Sequence, residues 1–236
     1  MKSIVVLPTY NEAENLPRMV EALLGLGVPG LEALVVDDGS PDGTGELAEE
    51  LARRCPGRVH VLHRNGKLGL GSAYRAGFDW ALRHGADYVI QMDCDFSHPV
   101  EKVPELVERA RGSEVVVGSR YVPGGSVDPR WSRWRKALSS WGNWYARLVT
   151  GVRVRDVTGG FKCFTRAALE GLPLSRLGSG GFTFQVEVNY VCKLKGYRVA
   201  EVPFGFAERV RGKSKMSPGI VLEGLWRVWQ MRFKKY

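Results

Sequence analysis

Short apolar runs alternate with amphipathic, helix-length segments through the first 120 residues of this 236-residue chain. The pattern predicts strands at residues 3–7, 33–36, 59–62, 88–92 and 115–117, and helices near 13–25, 44–54, 70–84 and 100–111. Regular alternation of this kind indicates an α/β fold with a doubly wound, parallel sheet. In such sheets ligands bind beyond the carboxyl ends of the strands, so polar motifs should follow the strands.

Polar residues do follow four of the five predicted strands. The sequence places Tyr10 and Glu12 after the first strand, Asp37 and Asp38 after the second, Asp93 and Asp95 after the fourth, and Arg120 after the fifth. Because parallel strands end at the same edge of a sheet, these side chains are expected to line a single crevice.

The Asp93-Cys94-Asp95 motif is the sharpest chemical feature. Two carboxylates at i and i+2 beyond a buried strand can hold a hard divalent cation together with phosphate oxygens of a substrate. A capping or turn role is the alternative for any single Asp-x-Asp. Here Asp37 and Asp38 should face the same crevice, and two acidic clusters repel unless a cation lies between them. The motif therefore predicts a Mg²⁺ or Mn²⁺ site.

The remaining strand-end residues suggest a nucleotide. One carboxylate of the Asp37–Asp38 pair is expected to cap the next helix, which leaves the other to accept hydrogen bonds from a ribose or base. Tyr10 offers a flat face to a base, or else packs at the strand end, and Glu12 offers an acceptor. Arg120 and the basic loop at 209–215 could clamp a diphosphate, although a solvated surface loop would look the same.

The net charge of +9 is unevenly distributed. Residues 1–100 carry 9 basic and 14 acidic side chains, whereas residues 101–236 carry 25 basic and 11 acidic ones. The basic half is expected to face nucleic acid, an anionic membrane or a phosphorylated substrate. The four cysteines are scattered without metal-like spacing, which favours free thiols in a reducing compartment.

A Trp-rich segment in the basic half has helical periodicity. Its apolar face is formed by Trp131, Trp134, Leu138, Trp141, Tyr145 and Leu148, and its basic neighbours include Arg130 and Arg133. Such a face packs in a core or lies on an anionic lipid surface, and a helix with several Trp and basic residues has the composition of an interfacial helix. The longest uncharged stretches have only ten residues, too short to span a bilayer.

Several motifs together resemble those of the inverting GT-A glycosyltransferases of family 2, and among them the dolichyl-phosphate (polyprenyl-phosphate) mannose synthases of the short type without transmembrane helices. They are residues 7–12 (LPTYNE), 36–44 (VDDGSPDGT), 158–164 (TGGFKCF), 184–187 (FQVE) and 209–215 (RVRGKSK). The resemblance covers nearly the whole chain. It implies a GT-A fold: a Rossmann-like, mostly parallel sheet with a C-terminal elaboration that faces the acceptor and the membrane.

The resemblance also implies roles for single residues. Those that match the GDP-mannose site are Pro8, Tyr10, Glu12, Val36, Asp38, Asp93, Cys94, Asp95, Arg120, Arg209 and Lys215. Within this set Asp93 and Asp95 match the metal ligands, and Asp95 and Arg120 are the expected catalytic residues. The chain departs from the family in having Cys94 between the aspartates and Phe96-Ser97 after them, so a metal-ligand role for Ser97 is left open.

The activity implied by the resemblance is inverting, metal-dependent transfer of mannose from GDP-mannose to a dolichyl or other polyprenyl monophosphate. One domain is expected, with residues 1–120 binding nucleotide and residues 121–236 facing acceptor and membrane. Peripheral attachment to the cytoplasmic face of a membrane, with small membrane-anchoring subunits as possible partners and no nucleic acid, completes the expectation. The alternatives are a UDP-glucose-dependent polyprenyl-phosphate glucosyltransferase and a non-catalytic basic module that binds membranes or nucleic acid.

Overall fold

The computed structural model describes residues 1–178, 180–207 and 218–236. Its strands are β1 (Ser3–Thr9), β2 (Leu31–Asp37), β3 (Val59–His63), β4 (Tyr88–Gln91), β5 (Val115–Ser119), β6 (Lys162–Thr165) and β7 (Val199–Pro203). Its α-helices are α1 (Leu16–Gly25), α2 (Thr44–Arg54), α3 (Leu70–Arg83), α4 (Val103–Ala110), α5 (Arg133–Thr150), α6 (Arg166–Glu170), α7 (Gly181–Leu194) and α8 (Pro218–Gln230). Short 3₁₀ turns lie at Val100–Lys102, Leu174–Arg176 and Met231–Phe233.

The strands form one seven-stranded sheet in the order β3-β2-β1-β4-β6-β5-β7. Strands β1 to β4 are parallel, and β5 is parallel to β7. Between β4 and β5 lies β6, which is antiparallel to both neighbours. The predicted α/β class with a mostly parallel sheet is confirmed, and β6 and β7 join the second half of the chain to the same sheet.

Strand β6 is absent from the sequence-based prediction. It has four residues, and its first residue, Lys162, is fully buried. A lysine in so short a run indicates a surface loop, because charged side chains are rarely buried without a special environment. The strand therefore depends on contacts made on both of its edges by β4 and β5, which local sequence does not reveal.

Helices cover both faces of the sheet. In α1, Leu16, Met19, Val20 and Leu23 are buried at the i, i+3, i+4 and i+7 positions that define one helix face. On the opposite face α3 lies very close to β1, and a Cβ on Gly77 would clash with Val6 Cγ1. Gly77 therefore allows α3 to pack directly against β1.

Helix α5 matches the Trp-rich segment of the sequence. The Ser132 hydroxyl accepts a hydrogen bond from the Arg135 N–H at 3.2 Å, and Gly151 ends the helix with φ of +64°. Both are ordinary helix-capping features. In the described ranges, no helix combines the length and the apolar character needed to cross a membrane.

Candidate active site

The loops after β1 and β2 are bound to each other. Backbone N–H groups of Asn11 and Glu12 donate to the hydroxyls of Ser40 and Thr44, both at 3.0 Å. Asn11 has φ of +61°, a conformation that Asn tolerates better than most residues. Tyr10 and Glu12 are thereby held beside the loop that follows β2.

The two aspartates after β2 are both engaged by other residues. Asp37 accepts hydrogen bonds from the Ser40 N–H at 3.1 Å and the Ser40 hydroxyl at 2.5 Å. Asp38 accepts from Arg64 Nη1 at 2.6 Å and from the Leu68 N–H at 3.2 Å. The expectation that one of them caps α2 and the other is free is wrong, since each carboxylate organises a loop.

Asp42 provides the polar contact at the start of α2. Its Oδ1 accepts from the Thr44 N–H at 3.1 Å and from the Thr44 hydroxyl at 2.6 Å, and its Oδ2 accepts from the Ala13 N–H at 3.1 Å. The pKa of Asp42 is lowered: burial acts to raise it, and the hydrogen bonds from Thr44 and Ala13 outweigh that effect. Asp42 therefore stays ionised and fastens the first loop to the second.

Tyr10 lies beneath a cation. The Lys67 ammonium is 4.0 Å from the centroid of the Tyr10 ring, in cation–π contact. Pro8 and Val36 are paired in register across β1 and β2, so these two predicted residues end on the same edge as Tyr10. A planar ligand that stacked on this face of the Tyr10 ring would either displace the Lys67 side chain or bind between Lys67 and the ring.

Asp93 follows β4 and is held from two sides. The Tyr74 hydroxyl donates to Asp93 Oδ1 at 2.6 Å, and the Asp93 N–H donates to His98 Nδ1 at 3.1 Å. Burial lowers the pKa of His98, and its Nδ1 acts as an acceptor, so the ring is neutral with its proton on Nε2. Both the side chain and the backbone of Asp93 are therefore fixed.

Asp95 is buried and accepts the Ser97 N–H at 3.0 Å. The structure shows Ser97 orienting Asp95 through its backbone. Between the aspartates, the Cys94 side chain lies in the core beneath the sheet, which leaves only its backbone at the crevice. Phe96 has φ of +59° and lies under the guanidinium of Arg18, so the chain makes a tight turn directly after Asp95.

The space beside Asp93 suits a metal ion bound with substrate. A Cβ on Gly160 would lie 3.4 Å from His98 Cε1 and 3.8 Å from Asp93 Oδ2, so Gly160 borders the space beside the Asp93 carboxylate, which we call the Asp93 cradle. Across the described ranges, no group of three or more His, Cys, Asp or Glu side chains could hold a metal. Two carboxylates completed by phosphate oxygens match the way Mg²⁺ binds, and the donor set fits Mn²⁺ equally.

Arg120 forms a buried, bidentate ion pair with Asp156, a partner that the sequence analysis did not predict. Its Nε and Nη2 donate to the two carboxylate oxygens of Asp156, each at 2.7 Å, and its Nη2 also donates to the Thr158 hydroxyl at 3.1 Å. The Arg120 side chain is 10% exposed and that of Asp156 is 0% exposed. Arg120 is thus a charged donor that Asp156 pairs and holds in a fixed position.

Lys162 is the second residue that the sequence did not reveal. Its ammonium group donates to the Gly159 carbonyl and to Gln185 Oε1 at 2.6 Å, and the residue is fully buried. Burial lowers the pKa of Lys162 to about 7. Together with Arg120, it holds the segment 158–160 between the ends of β4 and β5, since Gly159 also lies against the Gly118 carbonyl.

A cavity of about 460 Å³ lies between α5 and α8. Its apolar lining includes Trp131, Trp134, Leu138, Trp141, Tyr145, Val186, Leu225 and Val228, and its polar lining includes Arg120, Arg135, Ser139 and Thr158. Two of these polar residues form hydrogen bonds with residues at the end of β5. The Thr158 hydroxyl accepts from Arg120, and the hydroxyls of Ser139 and Tyr121 are hydrogen-bonded at 2.7 Å. The α5–α8 cavity is therefore apolar with polar groups that reach the crevice.

The predicted membrane-facing residues divide into two groups. Trp134 is 75% exposed, Trp141 is also exposed, and both occur with exposed Trp226 and Trp229 of α8. Trp131 is only 8% exposed and packs edge-on against Phe206, so its predicted membrane contact is wrong and it lines the cavity instead. Arg130 and Arg133 are both exposed, and Arg130 is in addition paired with Asp128 at 2.7 Å. Arg209 and Lys215 lie outside the described residues.

Comparison with known proteins connects this geometry to sugar transfer. The model of the family described as glycosyl transferase family 2 matches residues 4–172. Polyprenol monophosphomannose synthase from Mycolicibacterium smegmatis is 45% identical over 234 residues, covering 98% of this chain and 88% of that protein. Undecaprenyl-phosphate mannosyltransferase from Micrococcus luteus is 44% identical over 225 residues, covering 95% of this chain and 91% of that protein.

Among solved structures, a mannosyltransferase from Pyrobaculum calidifontis in complex with GDP-Man and Mn²⁺ superimposes with a TM-score of 0.61. The sequence identity is 21%, and the match covers 90% of this chain and 58% of that one. At this identity the likeness concerns the fold, which agrees with the GT-A architecture expected from the sequence.

Proposed function

Because the chain belongs to glycosyltransferase family 2 and is therefore a sugar-transferring enzyme, we propose that it transfers mannose from GDP-mannose to a polyprenyl monophosphate. The relatives named polyprenol monophosphomannose synthase and undecaprenyl-phosphate mannosyltransferase support this choice of sugar and acceptor. The donor and the divalent metal, Mg²⁺ or Mn²⁺, are parts of the same proposal. Residues 1–120 would supply most of the nucleotide site and residues 121–236 the acceptor side of a single domain.

The observation that carries the proposal is the position of the segment 158–160. At one end Thr158 lines the α5–α8 cavity, and at the other Gly160 lies beside Asp93 Oδ2. Two residues span at most about 7 Å of chain. An apolar tail in the cavity would therefore bring its phosphate headgroup next to the carboxylates that would hold a metal and the donor diphosphate.

The chemistry requires no proton acceptor from the protein. A phosphate monoester has a second pKa of about 6, so near neutral pH the acceptor oxygen is already largely ionised. It can attack the anomeric carbon in line, with GDP as the leaving group and inversion at that carbon. The protein's task is to align two polyanions and to exclude competing water.

Asp93 and Asp95 would hold the metal, which would stabilise negative charge on the departing diphosphate. Tyr10, Glu12 and the residues at the end of β2 would surround the guanosine. Arg120, fixed by Asp156, would direct an N–H toward phosphate oxygens from a rigid position, where donors are most effective. Arg209 and Lys215 remain proposed diphosphate contacts on the strength of the sequence motif.

Peripheral membrane contact is the second part of the proposal. Trp134 and Trp141, which line the α5–α8 cavity, are exposed, and Trp226 of α8 is exposed as well. Trp beside Arg is typical of segments that lie in the headgroup region of a bilayer. We place this face on the cytoplasmic leaflet, with small membrane-anchoring subunits as candidate partners.

A direct test uses the purified chain in detergent with Mn²⁺, labelled GDP-mannose and a polyprenyl phosphate. The proposal expects label in the lipid extract, one GDP released per mannose transferred, and a product with the anomeric configuration opposite to that of the donor. Parallel reactions with UDP-glucose test the alternative donor. Transfer from UDP-glucose alone, or retention of configuration, would contradict the proposal.

A further inference from the structure

Tyr74 is the residue that fixes the orientation of Asp93. It lies on α3, is fully buried, and its ring stacks on Phe78 at 5.8 Å and on Phe184 at 6.2 Å between centroids. The near-parallel arrangement with Phe184, at 7° between ring planes, leaves the Tyr74 ring little rotational freedom. Its hydroxyl consequently occupies a fixed position at the end of β4.

The hydrogen bond from Tyr74 is strong and persistent. The distance of 2.6 Å to Asp93 Oδ1 is in the range of a bond from a hydroxyl to a charged acceptor. An ionised carboxylate only accepts hydrogen bonds, so the Tyr74 hydroxyl is the donor in this contact.

This contact distinguishes the two oxygens of Asp93. Oδ1 is occupied by Tyr74, while no described residue donates a hydrogen bond to Oδ2, which faces the cradle beside Gly160. The backbone of Asp93 is anchored separately by His98. A carboxylate held in this manner is already oriented to bind a cation through its other oxygen. Residues that hydrogen-bond to metal ligands usually contribute in this way, by orienting the ligand.

We propose that Tyr74 is a positioning residue for the metal ligand Asp93 and directs its Oδ2 toward the divalent cation that accompanies the donor nucleotide. The inference rests on the proposed function, because it assumes that the metal binds at Asp93 with a nucleoside diphosphate. It assigns to α3 a role in metal affinity that no strand-end motif indicates.

The test compares Mn²⁺ binding in the wild type and in Tyr74→Phe, measured by calorimetry or electron paramagnetic resonance in saturating GDP. Loss of a residue behind a metal ligand typically weakens metal affinity about 10- to 100-fold, and we expect that range. Binding of GDP without metal should be unchanged. Tyr236→Phe is the matched control, since the Tyr236 hydroxyl also donates to a carboxylate, Glu187 Oε1, at 3.0 Å.

A double-mutant cycle separates positioning from general structural damage. In an Asp93→Asn background, Tyr74→Phe should produce little further loss of Mn²⁺ affinity, because the group it positions has changed. The rise in melting temperature that Mn²⁺ and GDP cause is a second readout, internal to each variant, and it should shrink in Tyr74→Phe. Equal Mn²⁺ affinity in Tyr74→Phe and wild type would overturn the inference. Failure of wild type to bind Mn²⁺ with GDP would instead contradict the proposed function.

Discussion

The carboxylate of Asp156 binds the guanidinium of Arg120 through both of its oxygens, and both side chains are almost fully buried. Asp156 also accepts the Arg120 backbone N–H at 2.9 Å, and its own N–H donates to Glu201 at 3.1 Å. The pair thus fastens the end of β5 to the loop before β6. This loop leads directly into the segment 158–160 that separates the α5–α8 cavity from the Asp93 cradle.

Asp156→Asn should destabilise the protein strongly. Removing one partner of a buried ion pair leaves the other charge unpaired, which typically costs about 3–5 kcal/mol. Urea unfolding measures the change in the free energy of unfolding. Asp79→Asn is the control, because Asp79 and its partner Arg83 are 63% and 65% exposed and such surface pairs contribute about 1 kcal/mol or less. Equal losses in both variants would show that burial of the Arg120–Asp156 pair has no special consequence.

Gly160→Ala should keep the fold and weaken binding. Its new Cβ would meet its nearest neighbours at 3.4 Å or more, an ordinary contact distance, so we expect stability within about 1 kcal/mol of wild type. The methyl group would occupy the cradle beside Asp93, and crowding of about 1–3 kcal/mol would weaken Mn²⁺–GDP binding by about 5- to 150-fold. Gly112→Ala, with no atom within 4 Å of its Cβ, is the control. Unchanged binding in Gly160→Ala would show that the cation lies elsewhere.

The lowered pKa of Lys162 should make the free energy of unfolding depend on pH. Burial lowers its pKa to about 7 from the ordinary value of 10.5, so between these values the unfolded chain holds a proton that the folded chain does not. The free energy of unfolding should therefore rise with pH from about 7 upward, by at most about 1.4 kcal/mol per pH unit from this group. Below pH 7 the buried amine is charged and this advantage is absent.

The Lys162 effect is isolated by comparing wild type with Lys162→Met across pH 6–9. The variant leaves the Gly159 carbonyl and Gln185 Oε1 without their donor, which gives a pH-independent offset. The informative quantity is the change in that offset with pH, which should grow in favour of wild type as pH rises. Parallel stability curves would mean that Lys162 keeps its proton in the folded state.

Substitution of the exposed Trp residues should weaken membrane binding without a large change in the free energy of unfolding. Trp134 and Trp226 are 75% and 61% exposed, so the double change to Ser should alter the free energy of unfolding by about 0.5 kcal/mol or less per site. Vesicle flotation with anionic lipid should show binding weakened roughly tenfold or more, given about 1.5–3 kcal/mol for burying a large apolar side chain. Leu194→Ser, an exposed apolar residue on α7, is the control. Undiminished flotation would place the membrane contact on another surface.

The sequence alone predicted those strands and helices whose apolar periodicity is visible within the element itself. Strands β1 to β5 and helices α1 to α4 follow from apolar periodicity, and the polar residues at their ends lie together as expected. Strand β6 was not predicted because a lysine in so short a run is typical of a surface loop. The buried amine of Lys162 depends on acceptors supplied by Gly159 and Gln185. Such an environment exists only in the assembled fold.

The same reason explains why the partners of the predicted site residues were missed. Arg120 and Asp156 are 36 residues apart, and Tyr74 and Asp93 are 19 residues apart. Nothing local in the chain marks Tyr74 or Asp156 as different from an ordinary core tyrosine or surface aspartate. The strand-end motifs indicate which residues contact substrate, whereas the residues that hold them in place become visible only through contacts.

The most direct test of the account measures the initial rate of mannose transfer from GDP-mannose to a polyprenyl phosphate while Mn²⁺ is titrated, in wild type and in Asp95→Asn. Asp95 is buried, oriented by the Ser97 N–H, and is one of the two proposed metal ligands. We expect a saturable Mn²⁺ dependence in wild type and a rate at least about 100-fold lower in Asp95→Asn, the effect of losing several kcal/mol of charge stabilisation. A wild-type rate that is unaffected by removal of divalent cations, or normal Mn²⁺-dependent turnover in Asp95→Asn, would contradict it.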